Sequence, residues 1–294
     1  MNQTKPATET FETYRPRLLR SAYRMTGSHA DAEDLVQETW LRWHGREAAQ
    51  PEHAGAWLSR VLVNLCLDYL KSAAKKREQY PGPWLPEPVV AASEGTEAER
   101  NHALDYGMLV LWDQLNPMER AVLILRESFD YAFRDIAEQL DIKEAHARQI
   151  ARRARQRLQT DSQGKPAGPG RHRAILNQFL NACQSGDLQA LLALFHQDIT
   201  LTADGGGKVV SALRPIYGAD RVSRFLIGIF GKIQGPIAVK PLWANGQAAL
   251  LIEADDHSPT LVMLACDDQG VRRCFLLRNP DKLARLARIA HKDS

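Results

Sequence analysis

The chain of 294 residues has no long apolar run: no window approaches the roughly 20 apolar residues that a membrane-spanning helix needs. Its N-terminal segment, MNQTKPATETFETY, also lacks the apolar core of a signal peptide. We therefore expect a soluble, cytoplasmic protein without a membrane partner. Basic and acidic residues are nearly balanced, because the net charge is only +3. Any nucleic-acid surface must therefore be a local patch.

Cysteine is scarce, and its spacing lacks the common metal motifs. The four residues are Cys66, Cys183, Cys266 and Cys274, and no two form a CxxC pair. Cys66 and Cys183 lie in apolar helical patterns and are interpreted as core residues. Cys266 and Cys274 flank a predicted hairpin turn, where a disulfide is conceivable but two buried thiols are preferred. We predict no metal and no cofactor.

Turn and linker signals divide the chain into five segments. Helical periodicity predicts a helical domain at residues 1–79, and four prolines mark an extended linker at residues 80–98. Helices resume over residues 99–160, and a Gly- and Pro-rich linker covers residues 161–171. The pattern of residues 172–294 predicts an α+β domain. Its predicted elements are a helix at 173–193 and strands at 199–203, 208–213, 237–243, 248–253, 260–266 and 271–277.

The run DAEDLVQETWLRW at residues 31–43 predicts a helix with one acidic, amide-bearing face. Helical spacing brings four residues to that face, namely Asp34, Gln37, Glu38 and Leu41. Taken alone, such a face is a solvated helix surface. The whole string, however, resembles region 2.2 of the sigma-70 family, and more narrowly its extracytoplasmic-function (ECF) subfamily. The resemblance implies that these four residues bind the β′ clamp of RNA polymerase.

The next predicted helix, residues 56–79, extends the resemblance to regions 2.3 and 2.4. Basic residues at its end suit the helix dipole in any protein, but the resemblance implies that they track phosphates of the −10 promoter element. They are Lys71, Lys75, Lys76 and Arg77. Asn64 either reads a base edge or caps the core, and both remain open. Residues 44–55 are expected to pocket a base that leaves its stack.

A helix-turn-helix pattern is predicted farther along the chain, with helices at Phe133–Leu140 and residues 144–158. Family members usually carry glycine where Asp141 stands, but aspartate tolerates a left-handed turn. A basic helix can be merely solvated, whereas resemblance to region 4 implies that this one reads the −35 element. The DNA-binding candidates are Lys143, His146, Arg148, Gln149, Arg152, Arg153 and Arg155. Region 4 is also expected to dock on the polymerase β flap through Leu123, Leu125 and their neighbours.

Three short strings mark the rest of the chain: WLPEP at 84–88, DGGGK at 204–208 and NPDKL at 279–283. DGGGK is either a hairpin turn or a flat contact surface, and contact is preferred. NPDKL is typical of a helix start, with Asn279 as N-cap and Pro280 in the first turn. The strings resemble the ECF subgroup with a fused SnoaL-like (NTF2-like) domain. That resemblance implies an extension that touches the sigma regions and replaces an anti-sigma factor. The regulatory candidates are Trp84, Leu85, Pro86, Asp204, Gly205, Gly206, Gly207, Lys208, Asn279, Pro280, Asp281, Lys282 and Leu283.

The sequence thus predicts a multidomain fold, two all-α modules followed by an α+β SnoaL-like cone. We predict an alternative sigma factor, monomeric when free, whose partners are core RNA polymerase and promoter DNA. It is not expected to be an enzyme, because His196, Asp198 and Asp204 form no convincing acid–base pair in the sequence. A small-molecule ligand of the cone is left open. The alternative is a helix-turn-helix regulator that never engages polymerase and uses the cone as sensor or dimeriser.

Overall fold

The structure is a computed structural model, and it describes residues 7–45, 51, 53–91, 105–161 and 166–284. The chain divides into two compact units. The helical unit comprises Met1–Glu78 and Leu111–Ser162, and the C-terminal unit comprises Gln79–Val110 and Gln163–Ser294. The proline-rich segment therefore belongs with the C-terminal unit, although its sequence is that of an independent linker.

Three helices open the helical unit, as the periodicity predicts. They are α1 (Ala7–Thr26), α2 (His29–His44) and α3 (Ala54–Glu78). Their apolar stripes meet in a core to which Leu18, Val36 and Leu62 contribute fully buried side chains. The start of α2 is capped by Ser28, whose hydroxyl accepts a hydrogen bond from the Asp31 amide. The acidic run is therefore helical from its first residue, and its inward face is fixed by packing.

Four further helices contain the helix-turn-helix pattern: α4 (Tyr106–Asp113), α5 (Pro117–Glu127), α6 (Phe133–Leu140) and α7 (Glu144–Asp161). Asn116 and Glu119 form a reciprocal capping box at the start of α5. Asp141 ends α6 in the left-handed conformation, with φ 55° and ψ 50°. The expectation that aspartate takes this turn in place of glycine is confirmed.

Helix α5 is buried on both sides, because it packs against α1 and α3 and also against α7. The Arg120 guanidinium is buried there and donates to the carbonyls of Met25 (2.7 Å) and Leu115 (3.0 Å). It also pairs with Asp113 at 2.8 Å. Leu123 and Leu125, the expected flap-docking residues, are fully buried in this core. Docking of region 4 on the β flap through these two residues stays a prediction, and it requires that this face be uncovered first.

The C-terminal unit contains a seven-stranded sheet with the order β1-β4-β5-β6-β7-β2-β3. Its strands are β1 (Val90–Ala91), β2 (Phe195–Asp204), β3 (Ile216–Tyr217), β4 (Ile237–Ala244), β5 (Gln247–Ala254), β6 (His257–Asp267) and β7 (Gly270–Leu277). Only the β2–β7 pair is parallel among the described strands. Helices α8 (Pro169–Ser185), α9 (Leu188–Leu194) and α10 (Ala219–Phe230) complete an apolar core with the sheet. The predicted α+β architecture is confirmed.

Three details of this unit differ from the sequence prediction. Residues 208–213 are not a strand, because the preceding glycines turn the chain there. The predicted helix 173–193 is interrupted: Gly186 has φ +69°, and Asp187 then caps α9 by accepting from the Ala190 amide. Helix α10 was not predicted. All four cysteines are buried free thiols, as preferred. In the ranges that the structure describes, every helix is too short or too polar to cross a membrane.

Candidate functional site

Asp204 lies at the end of β2 with its side chain completely buried. Four donors surround its carboxylate: the Tyr80 hydroxyl (2.5 Å), the backbone amides of Leu85 (2.9 Å) and Gly206 (2.9 Å), and the Lys282 ammonium (2.6 Å). A buried carboxylate is tolerated only when donors and an opposite charge compensate its lost hydration. These four groups provide both, and they bring the WLPEP, DGGGK and NPDKL strings together around one side chain.

The glycines of DGGGK serve as a turn and as a contact at the same time. Gly206 and Gly207 have φ +65° and +69°, a conformation that glycine adopts without strain. A Cβ atom on Gly206 would lie 2.5 Å from the Asn279 side chain, and one on Gly207 would lie 2.6 Å from Pro81. The turn is what allows neighbouring segments of the same unit to approach, whereas packing of another domain on these glycines stays a prediction.

The NPDKL string contributes both a helix cap and a cation. The Asn279 side chain accepts from the Asp281 amide (3.0 Å) and donates to the Tyr80 hydroxyl (2.8 Å). Lys282 also donates to the Leu85 carbonyl (2.5 Å), and its ammonium lies 4.2 Å from the Trp84 ring centroid. Burial and the hydrogen bond to Asp204 raise the pKa of Tyr80, so its phenol stays a proton donor. The described part of this terminal helix covers residues 280–284.

Residues 80–91, hereafter the strap, are fastened to the domain along their length. Leu85 is completely buried, and the Tyr106 hydroxyl donates to the Pro86 carbonyl at 2.7 Å. The Val89 amide donates to the Asn245 side chain at 3.1 Å, and Val90 and Ala91 then add β1 to the sheet beside β4. Sequence reasoning missed Tyr80, Tyr106 and Asn245. Only Tyr80 had a local signal, its position just before WLPEP.

The acidic face of α2 is available at the surface of the helical unit. Asp34 and Gln37 are exposed, and Glu38 pairs with Arg42 at 2.8 Å. Leu41 is 56% exposed, which is unusual for a large apolar side chain in the middle of a charged face. An apolar side chain surrounded by acidic and amide groups is suited to a protein partner.

The residues of α3 predicted to bind the −10 element differ in their exposure and contacts. Asn64 is exposed, so the alternative that it caps the core is wrong. Lys71 is exposed beside Asp68 (2.9 Å). Arg77 is instead engaged inside the helical unit, where it donates to Asp113 (2.7 Å) and to the Thr26 carbonyl (3.2 Å). The side chains of Lys75 and Lys76, and half of the predicted base-pocketing loop, lie outside the described residues.

Helix α7 presents its basic residues outward and its small apolar residues inward. Ala147, Ile150 and Ala154 are buried. The exposed residues are Lys143, His146, Arg148, Gln149, Arg152 and Arg153. Arg148 pairs with Glu144 and lies 4.9 Å from the Phe133 ring centroid, and Arg155 pairs with Glu127 at 3.2 Å. This arrangement matches the expected recognition helix, with Arg155 partly committed to an intramolecular pair.

The candidate bases of the C-terminal domain have structural partners or lie at the surface. His196 contacts Asp267 at 2.9 Å, and Asp198 is exposed. Burial tends to raise the pKa of Asp267, but hydrogen bonds from His196 and Arg272 lower it to about 2. The portion of the chain that the structure covers contains no group of three His, Cys, Asp or Glu residues able to hold a metal ion.

Both helical modules match known sequence families. Residues 10–76 match Sigma-70 region 2, and residues 112–160 match Sigma-70, region 4. The ECF RNA polymerase sigma factor SigJ of Mycobacterium tuberculosis is 40% identical over 290 residues, covering 92% of this chain and 91% of that protein. The chain belongs to the ECF RNA polymerase sigma factors. A second relative of this sigma factor, the probable ECF sigma factor SigI of Mycobacterium tuberculosis, is 27% identical over 293 residues.

The likeness extends to the C-terminal domain. The crystal structure of Mycobacterium tuberculosis SigJ has a TM-score of 0.74 to this chain, with 32% identity, and the match covers 94% of this chain and 98% of that one. The sigma factor therefore combines region 2, region 4 and a C-terminal α+β domain. It binds core RNA polymerase and promoter DNA and directs promoter-specific initiation of transcription, which removes the polymerase-independent regulator as an alternative.

Replacing Asp204 by asparagine tests whether its charge fastens the strap. Asp204→Asn leaves the Lys282 ammonium, whose side chain is 13% exposed, without its anion. Loss of one partner of a buried pair costs about 3–5 kcal/mol. We expect a lower free energy of unfolding for the C-terminal domain and faster hydrogen exchange at the Leu85 and Val89 amides.

The matched control is Asp281→Asn, which removes the partner of Lys208 in an exposed pair. Exposed pairs contribute about 0–1 kcal/mol, so exchange at Leu85 should stay at the wild-type rate. Equal effects of the two substitutions would contradict a special role for the buried carboxylate.

Proposed function

We propose that the C-terminal domain regulates this sigma factor by holding the strap through the buried Asp204 carboxylate. The observation that carries the proposal is the position of the strap: α3 of region 2 ends at Glu78, and residues 80–91 begin the connection to region 4. An extended chain spans at most about 3.3–3.6 Å per residue. While the strap is held by the domain, its residues cannot extend, so the connection spans a shorter distance. A domain that holds or releases it changes how far the two promoter-reading modules can separate.

The packing of the helical unit supports the same proposal. In this unit α5 of region 4 is packed on α1 and α3 of region 2, and Leu123 and Leu125 are covered. We propose that region 4 docks on the polymerase β flap through this covered face. In that case α5 must leave α1 and α3 when polymerase binds, and the hydrogen bond from Arg120 to the Met25 carbonyl and the Arg77–Asp113 ion pair must break. A longer free connection favours that separation.

Run-off transcription with core polymerase tests the regulatory role in the full-length chain. We expect the Asp204→Asn variant to make several-fold more transcript than wild type from a cognate promoter, because release of Tyr80 and Leu85 then no longer deprives a buried charge of its donors. Asp281→Asn should match wild type. An unchanged rate in a folded Asp204→Asn variant would rule out regulation through this carboxylate, and a lower rate would show that the strap supports initiation instead.

We further propose that the α2 face binds the β′ clamp through Asp34, Gln37, Glu38 and Leu41. An exposed leucine among acidic and amide groups supports this assignment. Changing Asp34, Gln37 and Glu38 together to alanine should raise the Kd for core polymerase by at least about tenfold, or about 1.4 kcal/mol. Glu12→Ala, which removes an exposed carboxylate from α1, is the control. Undiminished binding of the triple variant in a pull-down would refute the assignment.

We propose that Asn64 and the basic end of α3 hold the −10 element, and that α7 reads the −35 element. Lys143, His146, Arg148 and Gln149 lie toward the start of α7, where a recognition helix meets base edges, and Arg152, Arg153 and Arg155 follow toward its end. The first six of these seven residues are exposed, which supports the assignment. The remaining proposals are that the free protein is a monomer and that it works without a cofactor or catalytic group.

The two classes of contact on α7 predict different losses. Arg148→Ala with Gln149→Ala should reduce discrimination between cognate and altered −35 sequences, because base-edge contacts carry specificity. Arg152→Ala with Arg153→Ala should weaken binding to all sequences and reduce the slope of log K against log salt by about 2. Arg224→Ala, an exposed arginine of the C-terminal domain, is the control for lost charge. Filter-binding assays of the holoenzyme over a salt series separate the two outcomes, and unaltered selectivity in the first variant would place the reading face elsewhere on α7.

A further inference from the structure

A pocket of about 370 Å³ lies within the C-terminal unit, away from Asp204. It is lined by residues that include Asp105, Pro166, His172, Trp243, Asn245 and Gln247. Sites for small organic molecules usually begin at about 300 Å³, so the volume is sufficient for a compact ligand. The walls are mixed, with an indole, a proline ring, an imidazole and a carboxylate on the same cavity.

Three separate parts of the chain meet at this pocket. Asp105 precedes α4, on the segment that leads into region 4, and Pro166 lies on the segment that leaves it. Asn245, in the turn between β4 and β5, also accepts the hydrogen bond from Val89 of the strap. A molecule in the pocket would therefore contact both connections to region 4 and the residue that fastens the strap.

His172 contributes an unused acceptor. Its side chain is 2% exposed, and Nε2 lies 2.9 Å from the Leu264 carbonyl oxygen. A carbonyl can only accept, so Nε2 carries the proton and Nδ1 carries a lone pair. Within the described ranges no group is placed to hydrogen bond with Nδ1. Burial lowers the pKa of His172, which keeps the imidazole neutral and Nδ1 an acceptor.

Asp105 supplies a second acceptor: burial raises the pKa of its carboxyl group, and hydrogen bonds from the Met108 and Gly107 amides oppose that rise. One carboxylate oxygen caps α4 by accepting from the Met108 amide at 2.8 Å, and the carboxylate lies near enough to His172 to act on its charge. Trp243 forms an aromatic wall, and the Arg173 guanidinium lies 5.3 Å from its ring centroid. The pocket thus has a carboxyl group and a neutral imidazole on its wall, together with the side-chain amides of Asn245 and Gln247 and the indole of Trp243.

We propose that this pocket binds a small planar molecule that carries an amidine or guanidine group, with its N–H groups directed to Asp105 and His172 and its flat part against Trp243. A planar cation with parallel N–H donors matches a carboxylate in both geometry and charge. The importance of such a ligand for transcription rests on the proposed role of the strap, whereas the binding site itself does not.

Calorimetric titration of the full-length protein with three probes of one shape tests the site. Benzamidine is a cationic donor, benzamide a neutral donor and benzoate an anionic acceptor. We expect measurable binding of benzamidine, at least tenfold weaker binding of benzamide and no detectable binding of benzoate. Benzamidine that binds no more tightly than benzoate would overturn the proposal.

A matched pair of variants localises the binding. Asp105→Asn keeps an oxygen to cap α4 but removes the charge, and it should weaken benzamidine binding at least tenfold while leaving benzamide nearly unchanged. The control is Asp187→Asn, which alters another capping aspartate of the same domain. Amide chemical shifts of the wild-type protein give a readout that needs no variant: benzamidine should move the Gly246 and Gln247 signals. Shifts confined to other parts of the chain, or full affinity in Asp105→Asn, would refute the site. Because polymerase is absent from these measurements, their outcome is independent of the regulatory role of Asp204.

Discussion

The burial of one carboxylate determines how the connection between the two promoter-reading modules is held. Asp204 has no contact with water, so its charge is tolerated only while donors from the strap, the glycine turn and the terminal helix remain in place. None of these segments can leave without exposing an uncompensated charge to an apolar interior. The domain and the strap therefore form one cooperative structure, although more than a hundred residues separate Tyr80 from Asp204 in the chain.

In the helical unit, the buried Arg120 guanidinium likewise joins separate segments. Arg120 takes acceptors from α1, from the turn before α5 and from Asp113, so it connects region 4 to region 2 in the same manner. Breaking a buried pair costs about 3–5 kcal/mol, which is within the free energy that a large protein interface supplies. The proposed docking of region 4 on polymerase therefore has to supply the free energy that opens this packing. Buried ions provide a connection that is firm in the free protein and still separable by a partner.

Local patterns in the sequence were sufficient for elements whose stability is local. The bounds of α6 and the left-handed Asp141 follow from helix periodicity and turn chemistry, and the exposed faces of α2 and α7 follow from their spacing. The resemblance to a known subgroup, not the spacing, singled out the three strings around Asp204. Tyr106, Asn245 and the burial of Leu123 and Leu125 could not be predicted, since each depends on a segment distant in the sequence. The falsely predicted strand at 208–213 is rich in apolar residues, but it follows glycines that turn the chain.

The surfaces proposed to bind polymerase and DNA are exposed, which bears on how the sigma factor is regulated. The α2 face and the outward residues of α7 are accessible in the same structure in which Leu123 and Leu125 are covered. Regulation that acts by covering DNA-reading side chains would leave α7 buried, which is not observed. The covered elements are instead the α5 face and the strap, the two elements to which we assign the separation of the modules. A sigma factor must contact two promoter elements at once, so the proposed regulation through that separation would leave both proposed recognition surfaces free.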